Sequence, residues 1–173
     1  MASLHSSVTR RNLLLGLATS MVIVLKPSMA NAPSPAGESA WDLTESQWRQ
    51  LLSPEAFNVL RREGTERPFT SHLLEEKREG TFVCKGCGLP LFSSATKYES
   101  GTGWPSFWEP LPDSIGTKLD FKLLLPRTEY HCRRCGGHQG HVFNDGPKPT
   151  GKRYCNNGVA LKFVPTEATN STS

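Results

Sequence analysis

Long apolar runs are missing from this 173-residue chain. The longest, Leu13 to Leu25, falls short of the ~20 residues that a permanent membrane helix needs, so no bilayer-spanning body is expected. No glycine-rich phosphate loop and no internal repeat is present, which sets aside phosphate-loop chemistry and solenoid architectures. Excess charge is small as well. Of the net +4, Arg10, Arg11 and Lys26 supply three, leaving +1 on residues 33–173. A nucleic-acid footprint loses its main support, and no nucleic-acid partner is expected. Cysteine is scarce, with five in the chain, and every one of them is informative.

Residues 1–32 lack acids altogether. Arg10-Arg11 precedes the apolar run, Lys26 closes it, and Ala30-Asn31-Ala32 fits small-x-small cleavage. That order predicts a twin-arginine export signal over 1–32, hence a periplasmic address and no membrane anchor after cleavage. An acid-free, serine-bearing plastid or other organellar leader is the alternative. Residues 33–40, rich in proline and small residues, read as a linker, and 166–173 as a disordered tail. One domain over 41–165 remains.

The cysteines divide into four and one. Cys84-x-x-Cys87 and Cys132-x-x-Cys135, with glycines beside each pair, match the spacing of one tetrahedral tetrathiolate zinc site. Two disulfides are the competing reading, but a C-x-x-C disulfide closes a small, strained loop. The zinc is structural, one per chain, with no organic cofactor. Cys155 has no partner and lies among Arg153, Asn156 and Asn157. That is poor company for a buried apolar thiol and fits a reactive one.

Thr44 to Gln47 is a capping box opening a helix that carries Trp48, Leu51 and Leu52. Ser53-Pro54 starts a second, with Phe57, Val59 and Leu60 on its apolar face and Gly64 as its stop. Beyond Gly80 short apolar runs are broken by glycine and proline. Leu119, Phe121, Leu123 and Leu125 alternate with polar residues, which predicts a half-buried strand, as do Val159, Leu161 and Phe163. Thr81–Val83, Leu89–Phe92 and Tyr130-His131 are weaker strands. The fold class is mainly β and antiparallel, behind short N-terminal helices.

If Lys152 to Asn157 is extended, Arg153, Cys155 and Asn157 share a face. Arg153 can then favour the thiolate, and Asn157 can donate to a substrate oxygen. His138 and His141 follow the second cysteine pair and can act as acids. Asp145 either orients an imidazole or serves a turn. Trp104, between Gly103 and Pro105, can wall an apolar pocket, with Phe107 a second substrate-contact candidate in the same segment.

Gly103-Trp104-Pro105-Ser106-Phe107, Gly137-His138-Gln139-Gly140-His141-Val142-Phe143 and Arg153-Tyr154-Cys155-Asn156-Asn157, interleaved with both C-x-x-C pairs, resemble methionine-R-sulfoxide reductase B from about Trp41 to Phe163. The resemblance implies two antiparallel sheets in a tent-like arrangement and a zinc away from the active site. It also implies reduction of methionine-R-sulfoxide in oxidised proteins. Cys155 would be the nucleophile and Trp104 the platform for the substrate methyl. His138, His141, Asp145, Arg153 and Asn157 would complete the polar site. Many members of that family carry cysteine where this chain has Thr102, and here Asn156 and Gly158 replace an apolar residue and a serine. With no second free cysteine, a sulfenic acid on Cys155 would need an external reductant: thioredoxin-like, glutaredoxin-like or a small thiol. Two other readings stand beside this one, a zinc-ribbon binding module and a Cys–His hydrolase or peroxidase.

Overall fold

Thr44 accepts a hydrogen bond from the backbone of Gln47, whose side chain returns the favour to the Thr44 backbone. The reciprocal cap starts helix α1 (Glu45–Leu51) in the computed structural model, which describes residues 39–122 and 125–167. Ser53 caps α2 (Pro54–Arg62), with proline in the first turn as expected. Trp48, Leu52, Ala56, Phe57, Val59 and Leu60 turn inward, whereas Leu51 is exposed. The left-handed residue ending α2 is Glu63, not Gly64; the Gly64 amide donates to Asn58 O.

Among the described residues nine strands follow, all in antiparallel pairs. One sheet has three, in the order β2 (Pro90–Ser93), β1 (Gly80–Cys84), β9 (Leu161–Pro165). The other has six: β3 (Lys97–Tyr98), β4 (Ser106–Phe107), β8 (Arg153–Asn156), β7 (His138–Phe143), β6 (Arg127–Cys132) and β5 (Ile115–Asp120). The two-sheet β class expected from the sequence is the one observed. Between the sheets lies an aromatic core. Phe92 stacks on Phe107 with ring centres 4.3 Å apart, and Phe82 meets Phe107 at 4.9 Å. Tyr130 and Tyr154 close its far side. Each such ring is worth roughly 1.5–3 kcal/mol when fully buried, so this cluster holds the sheets face to face.

Two expectations change. The Leu119–Leu125 alternation is not a half-buried strand: β5 ends at Asp120, and Leu119, Phe121 and Leu125 are all exposed. Asp120, between two of them, is the buried one. β5 is an edge strand that meets the core through Ile115 at its start, and at its end Arg127, His141 and the Lys122 amide surround the Asp120 carboxylate. At the C-terminus Thr166 is tied down, its amide donating to Glu79 O at 3.0 Å. The leader, most of the linker, Leu123 and residues 168–173 lie outside the described residues.

Candidate active site

Pairing across the six-stranded sheet sets Ser106, Cys155, His141 and Glu129 in one row. Partners across an antiparallel ladder share a face, and the period of two adds Arg153, Phe143 and Arg127 to it. Phe107, Tyr154 and Tyr130 turn the other way, into the core. One face of the sheet therefore makes the fold and the other makes the site. This separation corrects the expectation for Phe107. It pairs with Tyr154 rather than Cys155, is 0% exposed, and stacks on Phe92 instead of touching substrate.

A cleft of about 110 Å³ opens on the polar face, with Trp104, His141, Cys155, Asn157, Arg127 and Phe143 among its walls. Its volume is a few water molecules' worth, at ~30 Å³ each. Trp104 is half-buried and anchored at its edge, Nε1 donating to Glu66 O at 3.0 Å. Its ring is thus part of the cleft rather than of the core.

Burial pushes the Cys155 thiol above the ordinary range; the Arg153 charge and a hydrogen bond from Thr102 pull back without overcoming it. Arg153 stands near the sulfur, as the shared face requires, and favours the thiolate as expected; desolvation is the larger effect, so the net shift is upward. Asp145 is occupied with Arg153. Arg153 Nε and Nη2 donate to its two oxygens at 2.9 and 2.8 Å, and this pairing holds the Asp145 carboxyl below its usual range. Asp145 therefore orients a guanidinium, not an imidazole. Arg153 also lies 4.3 Å over the Phe143 ring, which fixes it from the other side.

The carboxylate that orients His141 is Asp120, with His141 Nε2 and Asp120 Oδ2 2.7 Å apart. Asp120 also accepts from Arg127 Nη2 at 2.7 Å and from the Lys122 amide at 2.9 Å. The Lys122 amide first, then His141 and Arg127, hold its carboxyl well below the carboxylate range. An ionised Asp120 makes Nε2 the protonated nitrogen of a neutral His141, leaving Nδ1 for a ligand. Burial lowers the His141 pKa, and Asp120 offsets only part of this. His138 stands behind His141 rather than in the cleft. It is buried, with ring centres 5.5 Å apart and Nδ1 2.9 Å from Glu129 Oε1. Asn157 lines the cleft, yet its amide is engaged: Nδ2 donates to Gln139 O at 2.8 Å and Oδ1 accepts from the Glu66 amide at 2.9 Å. It holds neighbouring backbone, leaving one amide hydrogen for other use.

Asp120, Arg127 and Glu66 were not found by sequence reasoning. Asp120 sat inside an alternation whose leucine and phenylalanine suggested that the apolar side was the buried one. Glu66 acts from the irregular segment after α2, where no periodicity marks it.

Cys84, Cys87, Cys132 and Cys135 are brought together and buried, their sulfurs within 4.8 Å of one another. Cys84 and Cys135 sulfurs are 3.7 Å apart, and those of Cys87 and Cys132 3.4 Å. Four thiolates at ~2.3 Å from a tetrahedral zinc would stand about 3.8 Å apart, so the set fits such an ion. None of the four forms a disulfide. The two turns match. Gly88 and Gly136 both take positive φ, 72° and 66°, and their amides return to Cys84 O and Cys132 O. Gln139 Nε2 reaches Cys84 Sγ at 3.4 Å, and Arg61 of α2 donates to Cys135 O at 2.8 Å.

Residues 52–165 match the SelR domain family model. The chain belongs to the SelR family. Curated members are close in sequence. A "Peptide methionine sulfoxide reductase MsrB" from Methanosarcina barkeri is 50% identical over 131 residues, covering 75% of this chain and 92% of that protein. One of the same name from Leptospira interrogans is 52% identical over 121 residues, covering 69% and 92%. "Peptide methionine sulfoxide reductase B1, chloroplastic" from Arabidopsis thaliana is 40% identical over 172 residues, covering 95% and 85%. In this SelR-family chain the matched region contains the whole cleft and all four paired cysteines.

Proposed function

We propose that this chain reduces methionine-R-sulfoxide in oxidised polypeptides, with Cys155 as nucleophile. The observation that carries the reading is the convergence of a half-buried lone thiol, an indole face and a carboxylate-held imidazole on one small cleft. The names of the SelR relatives support the same activity. The Cys155 sulfur attacks the sulfoxide sulfur while a proton passes to the sulfoxide oxygen. The S–O bond breaks as the oxygen leaves as water; water then attacks the Cys155 sulfur and breaks the new S–S bond, leaving methionine, a Cys155 sulfenic acid and one proton. Substrate sulfur gains the two electrons that the thiol loses.

His141 supplies the proton. Its Nε2–H is committed to Asp120, so the proton leaves from Nδ1 of the imidazolium, a form the Asp120 charge favours. Trp104 receives the methyl, and its ring face stabilises positive charge on sulfur. Arg153, oriented by Asp145, lowers the cost of forming the thiolate in a buried place. Phe107 has no part in this step.

A thiol of external origin attacks the sulfenic sulfur, water leaves, and a second thiol releases Cys155 from the mixed disulfide. Thioredoxin-like, glutaredoxin-like and small-thiol reductants all have the chemistry required. The buried set of four cysteines holds one zinc and has a structural role. For the address, the acid-free leader supports twin-arginine export, whereas the relative matched over 95% of this chain is called chloroplastic, which favours plastid import. Fusion of residues 1–40 to a fluorescent reporter, expressed in bacteria and in plant cells, separates the two.

A single-turnover assay on resolved epimers tests the activity. R-sulfoxide is expected to yield one equivalent of methionine and one sulfenic acid trapped on Cys155, with the S epimer left intact. Equal consumption of both epimers, or turnover of an ester or a peroxide in preference, would overturn the reading.

A further inference from the structure

Phe69 is 70% exposed and has φ 62°. The left-handed region is disfavoured for any residue with a Cβ, and most for bulky ones. A ring left in water returns little by burial. A residue both strained and exposed is held by its surroundings, and strain of this kind gathers at ligand-binding places. The holding contacts are specific. The Phe69 amide donates to Gly103 O at 2.7 Å. The ring lies over Gly103 so closely that a Cβ there would come within 2.9 Å of two of its carbons.

Gly103 directly precedes Trp104, and the Trp104 indole is tied to Glu66, three residues before Phe69. One short segment therefore fixes the platform of the cleft and presents a second aromatic ring against Gly103, one residue before that platform. A methionine sulfoxide seated on Trp104 must send its own chain outward from the cleft. The first side chain to follow finds an aromatic surface already positioned and still wet.

We propose that Phe69 is a specificity residue that receives an apolar side chain flanking the oxidised methionine in a polypeptide. The proposal rests on the reading of the cleft as a sulfoxide site. The fixed backbone matters as much as the ring, because a pre-set surface loses little freedom when the peptide lands.

Three R-sulfoxide substrates test it: N-acetyl-methionine sulfoxide methylamide, a pentapeptide with leucine on each side of the sulfoxide, and the same peptide with serine. The wild-type chain should favour the leucine peptide over the serine peptide. In Phe69→Ala and Phe69→Gly that ratio of kcat/KM should fall by about tenfold, through KM, and Phe69→Leu should recover most of it. Phe69→Gly should melt no lower than the wild type, since glycine takes this φ freely. An unchanged ratio in both variants would overturn the proposal. So would an equal fall on all three substrates, which is the mark of a structural role. Failure of the wild type to reduce any of the three would instead remove the sulfoxide reading, and this proposal with it.

Discussion

At the level of single residues, the site pairs a thiol made harder to ionise with an imidazole made harder to protonate. Burial is the first cause of both shifts, and Arg153 and Asp120 are the counterweights. Alkylation of free Cys155 by iodoacetamide should therefore increase with pH beyond the ordinary thiol range. Arg153→Gln removes the charge that favours the thiolate and should slow alkylation at pH 8 by roughly tenfold. An equal or faster rate would show that Arg153 does not act on the sulfur. Asp120→Asn removes the charge that favours the His141 imidazolium. Turnover at neutral pH should fall about 10²-fold and recover in part as the pH is lowered, because His141 then needs more acid to carry its proton. Stability has its own sign. Asp120 has a depressed pKa, so its contribution is complete above about pH 4 and is lost on further acidification. The Asn variant should narrow that acid-induced loss, read by urea melts across pH.

Elements explain which residues could be read in advance. The helix starts were legible because a capping box and a Ser-Pro entry are local chemistry. Trp104, Cys155 and His141 were legible because they stand in distinctive short motifs. Asp145, by contrast, was placed on the wrong partner, since nothing local says whether a carboxylate will meet guanidinium or imidazole. That is decided by the register of β7 on β8, which pairs Phe143 with Arg153. Phe107 failed for the related reason that a one-residue step along β4 changes which side of the sheet is met. The segment between α2 and β1 was silent, yet it carries Glu66. That carboxylate accepts from the Gly158 and Val159 amides at 2.6 and 3.3 Å, just after Asn157. Glu66→Ala should cost about 1–3 kcal/mol of stability through the two unpaired amides and raise KM as Trp104 loosens. Glu66→Gln, keeping an acceptor, should restore part of both. Denaturant melts beside steady-state kinetics would read this, and a wild-type KM in the alanine variant would dismiss the coupling.

In the whole molecule, the four thiols tie the end of β1 in one sheet to the end of β6 in the other. Binding energy at such a site is folding energy, of order 10 kcal/mol for structural zinc. Cys87→Ser should therefore lose metal and melt far below the wild type, whereas mild reductant should leave the wild-type melt unmoved. Metal analysis against thermal melts decides between an ion and a pair of disulfides. The strand that bears Cys155 has another consequence. β8 is flanked on both sides, by β4 and by β7, with Cys155 opposite Ser106 and His141. An interior strand exchanges its amide hydrogens only when much of the sheet opens. Deuterium should therefore enter the Tyr154–Asn156 amides among the last, at rates set by global unfolding. The backbone that places Cys155 would then open only when the molecule loses its shape. Loosening of the segment that carries Glu66 would leave Cys155 in register opposite Ser106 and His141.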